Sequence, residues 1–185
     1  MSSSRPSDPA GLVSICDTGN YGQALSKVAD AIGIPIMAYN NPATSGVDMS
    51  PELLVSMFES IENLTMVKES TGELNRMLAI KELSGDRLPF YNGSNPLVLD
   101  ALTAGAKGWC TAAPCLRPQP CLDLYAAVGS GDTVGAQLIY DDLAPLLLSL
   151  AQWGAGDPAA MAWIASLRRL HGTQSVTGRL GLQVD

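Results

Sequence analysis

At 185 residues, with 46% hydrophobic content and a slightly positive mean hydropathy, the chain can bury a substantial core, which excludes a disordered polypeptide. Its 11 basic residues against 18 acidic ones give a net charge of −7 and leave no stripe to neutralise a phosphate backbone, which argues against nucleic acid and acidic membrane surfaces as partners. The longest apolar stretch, Leu143 to Trp153, is short for a bilayer and contains Pro145, so no membrane partner is expected.

Met1 to Pro9 is a polar lead with no apolar segment behind a charged cap, so it does not read as a signal peptide and a cytoplasmic location is the expectation. Leu12 to Cys16 could form one short strand, and residues 1–20 are set apart as a leading segment. From Tyr21 the spacing of Leu25, Val28, Ala29 and Ile32 predicts a helix that stops at Gly33. Ile34 to Asn40 reads as a buried strand, with Pro35 near its start where a missing N–H is tolerated. Asn41 to Gly46 is expected to be a loop. Ser50-Pro51-Glu52 then opens a helix, serine as the cap and proline at the first helical position, with Leu53, Leu54, Met57, Phe58 and Ile61 facing inward.

The strand Leu64 to Lys68 runs into Ser70-Thr71-Gly72-Glu73, a turn and helix start, and a helix follows from about Glu73 to Leu83. Leu88 to Asn92 is a further strand ending at Gly93-Ser94-Asn95. Pro96 to Ala104 is a short helix closed by Gly105, and Gly108 to Ala113 is another strand. Such strict alternation implies parallel strands with helical crossovers over residues 21–115. Beyond Pro114 the pattern is helical: Gln119 to Val128, Thr133 to Ala151 and Pro158 to His171, a segment spanning 116–171, followed by a tail at 172–185.

In parallel β/α proteins the functional residues gather at the carboxyl ends of the strands. Here those ends carry Tyr39, Lys68, the run Gly93 to Asn95, and Cys110 with Thr111. A lysine held at the rim of a sheet is costly as a cation, which favours the neutral amine, a nucleophile toward carbonyls. A phenol nearby can move protons and steady a developing alkoxide or carboxylate. The plainer alternative for Lys68 is a strand-end lysine that reaches water or pairs with Glu69. Gly93 and Gly108 would let the backbone approach a ligand.

Other residues carry plainer readings. Four cysteines, Cys16, Cys110, Cys115 and Cys121, show neither a paired C-x-x-C spacing nor a neighbouring histidine, and are read as reduced thiols. His171 suits the end of a helix, Asp141-Asp142 a solvated face, and the tryptophans the core or an interface. A phosphate-binding α/β module would need a glycine-rich loop after a strand, which the sequence lacks.

The ordered set Tyr39-Asn40-Asn41-Pro42-Ala43-Thr44-Ser45-Gly46, Val67-Lys68-Glu69-Ser70-Thr71-Gly72-Glu73, Gly93-Ser94-Asn95 and Gly105-Ala106-Lys107-Gly108-Trp109 resembles the dihydrodipicolinate synthase and N-acetylneuraminate lyase family. These are pyruvate-type class I aldolases and lyases on a (β/α)8 barrel. The resemblance covers roughly Tyr21 to Leu150 and implies a partial (β/α)8 TIM barrel, about strands five to eight, followed by C-terminal helices. It implies a Schiff-base lyase or aldolase acting on pyruvate or a related 2-keto acid, with Lys68 as the imine-forming lysine and Tyr39 as the proton relay. Gly93 and Asn95 would line the pocket for the second substrate, and Cys110 and Thr111 would lie where the last strand passes under the lysine. The chemistry implied needs no metal or organic cofactor, because the protonated imine is itself the electron sink.

The family's first strands normally bring a pair of adjacent hydroxyl residues and another tyrosine, and no such strands are evident here. A full barrel typically takes about 250 residues. An open half-barrel would expose inner-face residues such as Met37, Met66 and Phe90, and would be covered by a partner, by a second copy in a homo-oligomer, or by a rearranged sheet. The rival expectation is a truncated, catalytically inactive half-barrel with a scaffold or interaction role.

Overall fold

The computed structural model describes residues 21–152. The suggested strand Leu12 to Cys16, the helix Pro158 to His171, Trp153, Trp163 and the tail lie outside the described residues.

The elements run α1 (Tyr21–Ala31), β1 (Ile36–Asn40), α2 (Pro42–Ser45), α3 (Pro51–Ser60), β2 (Leu64–Glu69), α4 (Leu74–Leu83), β3 (Phe90–Asn92), α5 (Val98–Thr103), α6 (Ala113–Leu116), α7 (Pro118–Ser130) and α8 (Thr133–Gln152). Three strands form a parallel sheet in the order β1-β2-β3, so β2 is central. Helical crossovers between neighbouring parallel strands are what the alternating sequence pattern predicts.

Two segments depart from expectation. Asn41 to Gly46 holds a one-turn helix rather than an open loop. Pro42 sits in its first turn, the Asn41 carbonyl accepts from Thr44 and Ser45 N–H at 3.1 and 2.9 Å, and Gly46 closes it at φ 72° by donating to the Pro42 carbonyl. The strand expected over Gly108 to Ala113 is reduced to one parallel bridge between Asn92 and Trp109. Strand β3 is only three residues long, so a following strand finds little to pair with. Ala113, with Pro114 behind it, begins helix α6 instead.

The helix start at Ser50 behaves as its sequence suggests: Ser50 Oγ accepts from Leu53 N–H, and Pro51 needs no partner for an N–H it lacks. Helix α4 begins without such a side-chain cap, Glu73 N–H being met by Thr71 Oγ1 at 3.3 Å.

Side chains alternate between the two faces of each strand, and the two faces differ sharply. Ala38, Val67 and Phe90 point back toward the helices and are buried with Leu54, Met57, Met77, Ile80, Val98 and Leu102. Met37 and Met66 lie on the opposite face and are only half-buried. Phe90 therefore does not belong to the inner face, where the sequence reading put it; it is 2% exposed in the core, and Tyr91 takes the inner position.

Helices α7 and α8 pack on one another, with Leu124, Ala136, Leu143 and Leu147 buried between them and the rest of the core. Over Thr133–Ala151 helix α8 has the length and mean hydropathy, 1.2, of a segment able to cross a membrane, longer than the apolar run seen in sequence. It carries Asp141 and Asp142 on an exposed face, and Asp142 pairs with Arg117 at 3.0 Å, while Ala136, Leu143, Leu146 and Leu147 are buried.

Candidate functional site

Parallel register sets Tyr39 opposite Lys68 and Lys68 opposite Tyr91, so these three side chains stand abreast on the inner face at the carboxyl ends of β1, β2 and β3. Lys68 Nζ lies 4.0 Å from the centroid of the Tyr39 ring, within cation–π range. The Asn41 amide donates to the Tyr39 hydroxyl at 2.8 Å. Partial burial pushes the Tyr39 phenol up, but the Asn41 amide, the Ser70 hydroxyl and the Lys68 charge outweigh it and hold the phenol below the ordinary tyrosine value. Ser70 Oγ itself is buried without a hydrogen-bond partner of good geometry. Pairing of Lys68 with Glu69 is ruled out, because consecutive strand residues face opposite ways and Glu69 points into the core.

Gly93 follows β3 directly and abuts this group. A Cβ there would overlap Ser70 Oγ and lie 2.9 Å from Lys68 Cε, so the absent side chain is what leaves room for the lysine stem. Its place in the structure is thus beside Lys68. Gly108 in the same way gives space to the ring of Tyr91, which a Cβ would meet at 3.0 Å. Thr111 Oγ1 donates to Asn95 Oδ1, which ties the loop after β3 to the segment after the Trp109 bridge. Cys110 N–H donates to the Asn92 carbonyl at 2.9 Å and its thiol is free and half-buried. Asn95, Cys110 and Thr111 therefore cohere with one another, while Tyr39, Lys68 and Gly93 form the tight group.

Behind Tyr39 and Lys68, on the reverse face, lies a polar cluster that the sequence reading missed. Asn40 and Glu69, both 0% exposed, are hydrogen-bonded side chain to side chain at 3.0 Å. Asn40 also donates to Asp48 Oδ1 at 3.1 Å and accepts from Met49 N–H at 3.0 Å. Glu69 accepts from Thr71 N–H at 2.8 Å, and Arg76 Nε stands 3.6 Å from its other oxygen, a charge contact too long for a hydrogen bond. Arg76 reaches on to Asp48 at 2.6 Å and to the Met49 carbonyl at 2.7 Å. The only hint in sequence is the polar parity: Asn40 follows Tyr39 and Glu69 follows Lys68.

The described thiols differ in placement. Burial pushes the Cys121 thiol up to about 11, whereas Cys115 is exposed. Because the neutral thiol is the favoured form in the fold, that contribution to stability is complete below the ordinary thiol value and is lost as pH rises through about 11. Iodoacetamide at mildly alkaline pH should label Cys115 well before Cys121, with about a hundredfold less thiolate at Cys121 than at an ordinary cysteine, as peptide mass mapping would report. Equal labelling of both would show that α7 opens readily. Among the described residues no group of histidine, cysteine and carboxylate side chains is arranged to hold a metal ion.

Residues 17–174 match the model of the dihydrodipicolinate synthetase family. The chain belongs to that family. A 4-hydroxy-tetrahydrodipicolinate synthase from Rhodopseudomonas palustris is 37% identical to it over 119 residues, covering 64% of this chain and 40% of the relative. Among solved structures, a Pseudomonas aeruginosa protein assigned as a dihydrodipicolinate synthetase superposes with a TM-score of 0.76 at 44% identity, covering 89% of this chain and 55% of that one. The synthase from Acinetobacter baumannii, solved in complex with pyruvate, shares the fold at a TM-score of 0.72 and 23% identity over 88% of this chain and 54% of its own. This dihydrodipicolinate synthetase family chain thus spans about half the length of the relatives it matches.

Proposed function

We propose that this chain carries the imine-forming site of a pyruvate-type lyase or aldolase, with β1, β2, β3 and the Trp109 bridge standing where strands five to eight of a (β/α)8 barrel would run. The observation that carries this reading is the Lys68 amine lying 4.0 Å from the Tyr39 ring at adjacent parallel strand ends, beside a glycine that clears its path. In the reaction the Lys68 amine adds to the ketone carbon of pyruvate or a related 2-keto acid, and water leaves to give an iminium. Loss of a proton, or of a carbon–carbon bond, from the adjacent carbon yields an enamine, with the iminium nitrogen taking up the electron pair. Tyr39 delivers and removes the protons, and the Asn41 amide and the Lys68 charge that favour its ionised form suit it to that work. Gly93 lies on the substrate side of the lysine, and Asn95, Cys110 and Thr111 form the adjoining wall toward a second substrate.

A second reading, an interaction role without catalysis, draws on one observation. Met37 and Met66 on the inner face are left half-exposed among the described residues. Borohydride reduction in the presence of pyruvate separates the two. The expected result is a covalent adduct in the intact mass of the wild-type chain, mapped by peptide analysis to Lys68 and missing from Lys68→Ala. Failure to trap at saturating pyruvate would leave the interaction role as the better account.

A further inference from the structure

We infer that Glu69, through its side-chain bond to Asn40, is a positioning residue that holds Tyr39 against Lys68 from behind the sheet. The inference rests on the imine-forming reading of that pair and adds to it a residue that never touches substrate. Asn40 and Glu69 are the last register pair between β1 and β2, one residue beyond Tyr39 and Lys68. Their side chains are joined at 3.0 Å on the reverse face, so any separation of the strand ends or slip in register moves the phenol relative to the amine. Backbone pairing is regular from Met37 to Asn40, and Ser70 N–H donates to the Asn40 carbonyl at 2.9 Å, so the side-chain bond works beside a main-chain tie. The pairing is irregular at the far end, between Ile36 and Met37, and β1 is an outer strand of the described sheet, so the side-chain bond secures the end that carries Tyr39.

The carboxylate is suited to the task because each oxygen has a separate duty. One accepts from the Thr71 N–H at 2.8 Å, fixing the turn that follows Lys68; the other accepts from Asn40 and faces Arg76. Arg76 in turn grips Asp48 and the Met49 carbonyl in the segment that follows α2. A glutamine has one acceptor and one donor at its end, and so must leave either Thr71 N–H or Asn40 Nδ2 unmet. Glu69, Arg76 and Asp48 belong to the cluster behind the sheet, and Lys68 is the charged group beside the phenol. The cluster therefore acts on Tyr39 through geometry.

The test compares the full chain with Glu69→Gln and reads the ionisation of Tyr39 by tyrosinate absorbance, with Tyr39→Phe to assign it among the five tyrosines. In Glu69→Gln the Tyr39 midpoint is expected to rise toward the ordinary tyrosine value, and borohydride trapping of pyruvate at Lys68 to slow by at least about tenfold with half-saturation little changed. Leu124→Ala, a distant core variant, should leave the Tyr39 midpoint in place, as a merely global loss of stability predicts. Should Glu69→Gln fail to fold, Asn40→Ala removes the same clamp and is expected to shift the midpoint the same way. A midpoint that stays put in whichever of these variants folds overturns the proposal. Absence of trapping in the wild type would reject the catalytic reading, while the phenol still decides the positioning role.

Discussion

Gly93→Ala should slow imine trapping at Lys68 by about 10- to 100-fold while most of the fold's stability is kept. The added methyl would sit 2.9 Å from Lys68 Cε and overlap Ser70 Oγ. Carbon atoms in contact settle at about 3.5–4.0 Å, so the lysine stem must move by most of an ångström. A displacement of about 1 Å between reacting groups can cost about 100-fold in rate, and in the proposed reaction the amine has to meet a carbonyl with Tyr39 at hand to move protons. Removing the overlap at its other partner, in Gly93→Ala/Ser70→Gly, should recover part of the loss but not all, since the Lys68 contact persists. The measurement is the time course of adduct mass under borohydride, beside a denaturation curve for each variant. Wild-type trapping rates in Gly93→Ala would mean that the lysine approaches its substrate by a path that does not pass the glycine.

Phe90→Ala should lower the free energy of unfolding by about 3–5 kcal/mol, the range for emptying a buried aromatic site. The ring is 2% exposed in the layer between the sheet and the helices, where Val67 and Ile80 are fully buried. Met66→Ala, on the half-exposed inner face, should cost only about 1 kcal/mol. Urea denaturation of the two variants decides which way the strands face. A small loss at Phe90 beside a large one at Met66 would mean that the sheet presents the opposite face to its helices.

The contrast between those two residues shows what the sequence could convey. Lys68 and Tyr39 were legible because each ends a run of strand formers before a turn, and parallel topology brings such ends to one rim. The helix from Pro51 was legible from its serine cap and first-turn proline, and α4 from the stripe that follows the Thr71-Gly72 turn. Phe90-Tyr91 offered two adjacent aromatics of equal bulk, so parity could be assigned only by the register with Lys68. The last strand failed for a different reason: its residues suit a strand, but pairing needs a neighbour, and β3 is too short to supply one. The polar cluster of Asn40, Asp48, Glu69 and Arg76 was barely hinted at because it joins four separate segments: β1, the stretch after α2, β2 and α4. No local pattern marks such a contact before the chain is folded.

The pairing of Tyr39 with Asn40 and of Lys68 with Glu69 has a consequence for how this protein can change. In each strand the residue on the inner face is covalently next to the one that faces the core, and their order is fixed by a two-residue repeat. One residue gained or lost between Met66 and Glu69 would turn the Lys68 side chain inward, against the core and Arg76, and send the carboxylate out beside the phenol. Both faces would fail together, one by burying an unmatched charge and the other by losing its nucleophile. The site can therefore be tuned by replacing side chains, while a change of length is tolerable only where the pairing is already irregular, opposite Ile36 and Met37, and not between there and Glu69.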